Sequence, residues 1–597
     1  MADYRAPLAD IRFVLTHIAG LAELAEAEVF RHADPESVFG ALEECGRFMS
    51  DVVAPLNRVG DTVGSQRQAD GSVRTPPGFA DAYRRYVDAG WGAVPFDPEF
   101  GGGGFPWVVA VATQEMMTSA NMAFSLCPLL TQGAIDAITH HGTAEQQALY
   151  LPKMISGEWT GTMNLTEPQA GSDVGALTTK ALPAGDGTWR ITGQKIFITF
   201  GEHDMTEQIV HLVLARTPGA APGTKGISCF IVPKFLINAD GSLGARNDAG
   251  CVSIEHKLGI HGSPTCVMSY GDGGGAVGWM LGEEHSGMKT MFTMMNTARL
   301  SVGLEGVALA ERAFQLALTY AQVRSQGRAI GAPSAESSAI IEHPDVRRML
   351  MTMKANIEAM RCLAYLNAAS IDRSKIGATP ADRAAAKEFV DLLTPITKGW
   401  STDLGVELTS IGVQIHGGMG YIEETGAAQF FRDARIAPIY EGTNGIQAID
   451  LVLRKLPMRG GAVFAELIAS MRGTAADCRG VESLATIGAS LGAAADALEG
   501  SAGWLGATLA AGQIDDVLAG ASPFLRMAGT VVGGWLLARS ALAANGGGAD
   551  PGFCAAKIAA AAFYAGQILP TAAGLHAAVT AGSAPLFAIA PVQLASA

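Results

Sequence analysis

Five short stretches combine residue types that chemistry needs. In IAPIYEGTNGIQ (436–447), Glu441 stands between Tyr440 and Gly442 with no basic residue within five positions on either side. A carboxylate held in a dry pocket rises from an ordinary pKa of about 4.3 toward neutrality and can serve as a general base. The plain alternative is a surface glutamate at a glycine turn. In MNLTEPQAGSDVGALTTKA (163–181), Pro168 bars a helix. The loop could aim backbone N–H groups and hydroxyls at a polar ligand, or it is a capped turn opening a β region. In GQKIFITFG (193–201), strict alternation puts Ile196 and Ile198 on one face and Phe197 and Thr199 on the other. An aromatic beside a hydroxyl could cover a flat ring and hydrogen-bond its edge, or the strand simply packs on a helical bundle.

The other two stretches suit phosphate. RSQGR (324–328) closes a long helical pattern. Its arginines could clamp a pyrophosphate or merely complement a helix C-terminus. In VQIHGGMGYIEE (413–424) the glycines permit close backbone approach. No strand precedes them and there is no G-x-G-x-x-G, so a Rossmann nucleotide fold is not supported. His416 reads as a packed or capping histidine.

The elements that must position these stretches change in texture along the chain. Residues 1–160 read as an N-terminal helical domain. DPESVFGALEECGRFMSDVV (34–53) carries an N-cap candidate at Asp34 and Pro35 in the first turn, and 141–159 is a helix entered through Thr143 with Gln146 three residues on. Residues 161–285 form a β domain whose strands include 189–200, 207–216, 225–234 and 251–257, rich in Ile, Val, Phe and Thr. Residues 286–460 return to helices, with Leu304, Val307, Phe314 and Leu318 near one stripe and further long helices over 343–370 and 380–418. Residues 461–597 are rich in Ala and Gly and poor in charge. They read as an additional helical domain rather than a disordered low-complexity tail, because disorder needs low hydrophobicity and high charge. The fold class is α+β.

Composition excludes some functions. The chain has 597 residues, 48% hydrophobic, with a net charge of −15. That balance argues against nucleic acid or an anionic membrane as the main partner. The eight cysteines contain no CxxC pair and accompany no His cluster. They read as reduced core residues, with no metal site. The start lacks a signal-peptide core, and no uninterrupted apolar run is read as long enough to span a bilayer, so the expectation is a soluble, cytoplasmic protein.

Taken together, LTEPQAGSD, KIFITFG, the Arg324 segment, QIHGGMG and IYEGTNGIQ occur in an order and spacing that resembles the acyl-CoA dehydrogenase family over about residues 40 to 460. These are flavoproteins that desaturate acyl-CoA thioesters. The resemblance implies a helical N-terminal domain, a β-barrel-like middle domain and a C-terminal four-helix bundle, with FAD as cofactor. Met163, Leu165 and Thr166 would line FAD, Gly171 and Ser172 would lie at its phosphate or the CoA arm, and Phe197, Ile198 and Thr199 would meet the isoalloxazine. Arg324, Gln414 and Gly418 would bind the pyrophosphate and adenosine of a neighbouring subunit's FAD, which implies a homo-oligomer, at least a dimer. Arg299 would shape the CoA side. Tyr440, Gly442 and Thr443 would line substrate and flavin, and Glu441 would be the catalytic base, removing the α-proton as the β-hydride leaves for flavin N5. Some members carry the base on the earlier helix; that position here is Ala298.

Three departures stand out. Phe197 replaces a common Trp, Gln169 a usual Gly, and Gly327 a common aromatic. The start YRAPLADIRF and the helical tail resemble a long subgroup that includes enzymes for 3-methylmercaptopropionyl-CoA, in dimethylsulfoniopropionate catabolism, and broad-range acyl-CoA enzymes. The expected substrate is 3-methylmercaptopropionyl-CoA or a short-to-medium acyl-CoA, with long-chain acyl-CoA open, and the expected electron acceptor is electron-transfer flavoprotein. The alternatives are an acyl-CoA oxidase and a non-catalytic CoA-binding scaffold. The tail would cover a surface used elsewhere for tetramers, leaving a dimer.

Overall fold

Cap residues place the helix starts where the sequence marks them. The computed structural model describes residues 4–332, 336–547 and 550–595. Asp34 accepts hydrogen bonds from the N–H groups of Glu36 and Ser37 at 3.0 and 3.1 Å, and helix Pro35–Phe48 begins there. Thr143 and Gln146 cap each other's backbone at the start of helix Ala144–Ser156. The chain divides into two compact units, one of residues 7–39 with 302–597 and one of residues 3–6 with 40–301.

In the unit of residues 40–301, helices Trp107–Ala120 and Met122–His141 precede a sheet. Its strand order is Ala249–Ile254, Thr265–Tyr270, Trp189–Thr199, Ala276–Leu281, Ile227–Pro233, Gln208–Arg216 and Trp159–Asn164. Strand Lys180–Pro183 pairs with both Trp189–Thr199 and Gln208–Arg216, so the sheet closes on itself in a barrel-like circuit. Its interior holds Ile191, Ile198, Phe230, Val232, Met268 and Tyr270. The strict alternation expected along GQKIFITFG is interrupted. Ile198 pairs with Cys266 but Lys195 pairs with Met268, and Phe197 adopts φ 59°. This bulge turns Phe197 outward, 59% exposed, from a strand that otherwise buries its alternate residues.

In the unit of residues 7–39 and 302–597, helices Pro344–Ile376 and Pro380–Ile415 pack on the end of helix Gly287–Val323 that begins at residue 302. Glycine makes one contact possible: a Cβ at Gly306 would lie 2.1 Å from the Ser401 carbonyl oxygen. The tail is helical throughout its main length, with helices Ala462–Arg479, Ala485–Ala510, Ile514–Asn545 and Pro551–Phe563. Gly529 of this tail gives room to the buried Trp400, whose Cγ would sit 2.1 Å from any added Cβ.

One buried charge cluster ties the start of the chain to its tail within this unit. Arg361 bonds to Asp10 and, at 2.9 Å, to Glu311. Lys557 bonds to Asp10 at 2.5 Å and to Glu358 at 2.9 Å, and Lys354 meets Glu358 at 2.6 Å. The signs balance, which buried charges require. Burial would raise the Asp10 carboxyl, but Lys557 and Arg361 outweigh it and hold it well below the usual carboxylate range.

The expectation of no apolar run long enough for a bilayer is corrected. Among the described residues three helical stretches, 122–141, 514–545 and 551–579, have that length and composition. The first two bury 89% and 83% of their apolar windows inside the protein and the third 33%. Helices apolar on every side form where other helices surround them, and length with composition does not distinguish these from spans. All eight cysteines are buried free thiols.

Asp10→Ala strands Arg361 and Lys557 beside too few carboxylates. It is expected to cost about 3–5 kcal/mol, read as a lower apparent Tm and faster protease cleavage within residues 461–595. An unchanged melting curve would contradict this role for the cluster.

Candidate active site

Glu441 sits on a turn built to hold an awkward backbone. It has φ 56° and Gly442 has φ 80°, so two successive residues lie in the left-handed region. Glycine enters that region freely, whereas a residue with a side chain is strained there. Anchors flank the turn on both sides. Before it, the Tyr440 hydroxyl donates to Glu305 Oε2 at 2.5 Å. After it, Asn444 Nδ2 donates to Asp403 Oδ1 at 2.7 Å, Thr402 Oγ1 at 2.9 Å and the Gly399 carbonyl at 3.0 Å. The buried Lys398 ammonium donates to Asn444 Oδ1 at 2.8 Å. Thr443 caps helix Asn444–Asp450 by accepting the Ile446 N–H. Tyr440, Glu441, Gly442 and Thr443 are all half-buried, so Glu441 is not a fully exposed side chain.

Glu305 is fully buried. Burial pushes its carboxyl up to about 8; the Tyr440 hydrogen bond and Lys398 pull it down, while Glu441 pushes it further up.

The same unit carries Arg324, Gln414 and Gly418, all exposed. Arg324 donates to Gln326 at 3.1 Å from the end of its helix. Tyr320 and His416 rings lie 4.6 Å apart, which links that helix end to the GGMG turn. His416 is buried at the C-cap of helix Pro380–Ile415 and its Nδ1 bonds the Gly412 carbonyl at 2.7 Å, as a packed capping residue does. Apolar side chains stand out in these two segments, with Val323, Met419 and Ile422 exposed and Tyr421 86% exposed.

In the other unit, the LTEPQAGSD loop and the KIFITFG strand are brought together. Ile196 N–H donates to the Thr166 carbonyl at 2.9 Å and Thr162 Oγ1 to the Thr199 carbonyl at 2.7 Å. Met163, Leu165, Thr166 and Thr199 are half-buried, Gly171 and Ser172 exposed. Ile198 buries its side chain in the barrel interior, so only its main chain is open to a ligand. Arg299 is buried, and its Nε has no hydrogen-bond partner among the described residues. Ala298 is buried on the same helix.

What joins loop and strand is an ion pair that local sequence does not announce. Lys195 Nζ donates to Glu167 Oε1 at 2.8 Å and to the Leu165 carbonyl at 3.0 Å, and both side chains are buried. Glu167 also accepts from the N–H and Oγ1 of Thr178 and of Thr179, and from Gln169 Nε2 at 2.7 Å. Gln169, the departure in this loop, is thus accommodated as a donor. Burial raises the Glu167 carboxyl, but Lys195 and these donors bring it down to about 2. Burial lowers Lys195, and Glu167 restores part of that, leaving it at about 8. Glu305, Lys398, Asp403 and Asn444 likewise take their places through tertiary contacts. Glu305 had a signal, a lone acid between glycines in VGLEGVAL; the other three become visible only when the helices pack.

Comparison with known proteins gives a consistent result. Family models match in chain order: acyl-CoA dehydrogenase N-terminal domain over 42–158, middle domain over 162–272, C-terminal domain over 285–456, and acetyl-CoA dehydrogenase C-terminal like over 467–590. The chain is 47% identical to 3-methylmercaptopropionyl-CoA dehydrogenase of Ruegeria pomeroyi, over 97% of this chain and 98% of that protein. It is 35% identical to the broad-specificity linear acyl-CoA dehydrogenase FadE5 of Mycobacterium tuberculosis, over 96% of each. The crystal structure of Caenorhabditis elegans ACDH-11 in complex with C11-CoA superposes with a TM-score of 0.77 at 19% identity, covering 95% of this chain and 92% of that one, a likeness of fold.

Glu167→Gln leaves Lys195 buried without its counter-ion and is expected to destabilise by about 3–5 kcal/mol, with Lys195→Met in the same chain recovering part of the loss. Because the Glu167 carboxyl is depressed to about 2 in the folded protein, its stabilisation is present above its ordinary value and is lost as pH falls toward 2. Urea midpoints between pH 3 and 7 check both; equal midpoints for wild type and Glu167→Gln at pH 7 would contradict the pair's importance.

Proposed function

The chain belongs to the acyl-CoA dehydrogenase family, and from that premise we propose that it is an FAD-dependent dehydrogenase that converts an acyl-CoA thioester to the trans-2-enoyl-CoA with Glu441 as the proton-abstracting base. The observation that carries the assignment is the left-handed turn at Glu441 and Gly442, anchored on both sides. A residue with a side chain holds that conformation where the structure around it enforces it.

The residues suit FAD. Phe197 is an aromatic raised out of a barrel strand by a bulge, next to Thr199 and bonded through its strand to Thr166. An exposed flat ring beside hydroxyls matches an isoalloxazine. Met163, Leu165, Thr166, Gly171, Ser172, Ile198 by its main chain and Thr199 would hold the cofactor. Arg324, Gln414 and Gly418 would receive the pyrophosphate and adenosine of a second subunit's FAD. FAD, when bound, supplies the two-electron acceptor for the β-hydride.

The chain's own residues do the rest. Glu441 takes the α-proton, and its backbone N–H polarises the thioester oxygen, which lowers the cost of charge developing there. Gly442 leaves space for substrate beside the backbone. Tyr440 and Thr443 border the reacting carbons, and the buried Arg299 serves the CoA side, where a ligand would answer its Nε.

We assign 3-methylmercaptopropionyl-CoA or a short-to-medium acyl-CoA as substrate, on the 47% identity to the Ruegeria enzyme, and electron-transfer flavoprotein as acceptor. The location is cytoplasmic. The four segments 1–160, 161–285, 286–460 and 461–597 are its domains, and the assembly is a homodimer. Exposed Val323, Met419, Tyr421 and Ile422 beside Arg324, Gln414 and Gly418 support a partner subunit over that surface.

Anaerobic mixing of the purified holoenzyme with a panel of acyl-CoAs is expected to bleach the flavin fastest with 3-methylmercaptopropionyl-CoA or a short-to-medium chain. Glu441→Gln is expected to slow bleaching by about 10²–10⁴-fold, the usual worth of a general base. Bleaching by Glu441→Gln at the wild-type rate would overturn the mechanism. Rapid peroxide formation on admitting air would replace the dehydrogenase assignment with an oxidase, and a light-scattering mass near four subunits would exclude the dimer.

A further inference from the structure

The carboxyl group of Glu305 is out of place by the ordinary rules of a helix core. It lies in VGLEGVAL, where helix Gly287–Val323 presses against helix Pro380–Ile415. A Cβ at Gly303 would stand 2.7 Å from the Thr397 carbonyl oxygen and one at Gly306 2.1 Å from that of Ser401, so the glycines permit the approach. Glu305 is sealed there with no exposed surface. Its Oε2 accepts from the Tyr440 hydroxyl, and its Oε1 has no hydrogen-bond partner among the described residues. A leucine would fill this volume without the desolvation cost of a carboxyl group. What leucine lacks is an acceptor for Tyr440, and Tyr440 is the residue before the base.

We propose that Glu305 is a positioning residue for proton abstraction, acting on Glu441 through Tyr440. The inference rests on the reading of Glu441 as the base. The strained turn at Glu441 has its downstream end tied to helix Pro380–Ile415 through Asn444. Its upstream end is tied to helix Gly287–Val323 through the Tyr440–Glu305 hydrogen bond. The peptide between Tyr440 and Glu441 carries the N–H assigned to the thioester oxygen. Releasing Tyr440 therefore loosens the carboxylate and that donor together, at little cost to acyl-CoA binding elsewhere.

A second consequence follows from the charge of the groups around Glu305, which are the Tyr440 hydroxyl and Glu441 from the turn and the Lys398 ammonium from helix Pro380–Ile415. Burial and Glu441 push the Glu305 carboxyl up to about 8 against the pull of Tyr440 and Lys398. Below that pH Glu305 adds no charge beside Glu441. Above it a second negative charge appears behind Tyr440, within electrostatic reach of Glu441, and opposes further negative charge developing at that turn, which slows the step.

The test measures the anaerobic flavin-reduction rate and acyl-CoA Kd for the full-length holoenzyme from pH 6 to 9.5, in wild type, Glu305→Gln, Glu305→Leu, Tyr440→Phe and Glu305→Leu with Tyr440→Phe. Wild type is expected to lose rate through an alkaline limb near pH 8, and Glu305→Gln to lack that limb. Glu305→Leu is expected to reduce flavin about tenfold more slowly at pH 7 with Kd changed less than about threefold, Glu305→Gln to fall between it and wild type, and the double variant to match Glu305→Leu within about twofold, because the two side chains act as one unit. A wild-type alkaline limb persisting in Glu305→Gln, or multiplicative losses in the double variant, would overturn the proposal. If Glu305→Leu does not fold with FAD, the Glu305→Gln pH profile decides alone. Failure of the base reading is separate: it shows as full activity in Glu441→Gln, whatever Glu305 does.

Discussion

A left-handed backbone at a residue that carries a side chain is a constraint the rest of the fold has to supply. Glu441 has φ 56°, a conformation that costs of order 1–3 kcal/mol and relaxes unless its surroundings over-determine it. Two long helices do so. One offers Glu305 to Tyr440, and the other offers Gly399, Thr402 and Asp403 to Asn444. Those helices can reach the turn because glycines let them approach closely. The tail helix Ile514–Asn545 then closes over Trp400 of the second helix through Gly529. The geometry of that one carboxylate thus depends on packing extended over several helices.

Buried charge serves a related purpose in this chain. Glu167 and Lys195 fasten the LTEPQAGSD loop to the KIFITFG strand, and Asp10, Arg361 and Lys557 fasten the chain's start to its last long helices. A third group, Glu202 with Lys234 and Arg246, braces the barrel. Such pairs seldom add net stability over apolar substitutes, but they penalise every arrangement that separates them. That property suits loops that must hold one geometry and remote segments that must find each other. It also joins the start of the chain to the helical tail, since Asp10 and Lys557 complete one cluster.

The parts of this molecule that were legible in the sequence depend on local rules. Asp34 with Pro35, and Thr143 with Gln146, announced their helices because capping acts over a few residues. The β texture after Trp159 announced the barrel strands, and the motif order announced the family. Phe197 was singled out for its type, but not its bulge, which depends on how Cys266 and Met268 pair across the sheet. Lys195 lies within KIFITFG with no local sign of its role, because nothing nearby says that Glu167, in another segment, folds onto it. Glu305 sits within an apolar helical stretch, and its partner Tyr440 lies far along the chain. The helical stretches 122–141, 514–545 and 551–579 escape a reading for uninterrupted apolar runs, since polar residues interrupt each of them.

The central claim is that Glu441 moves the α-proton. An acyl-CoA that lacks β-hydrogens isolates that step, because it can exchange its α-protons with solvent but cannot be oxidised. With the holoenzyme in deuterium oxide, mass spectrometry is expected to show deuterium entering the α-carbon in wild type and exchange slowed by about 10²–10⁴-fold in Glu441→Gln. Exchange at the wild-type rate in Glu441→Gln would contradict the account.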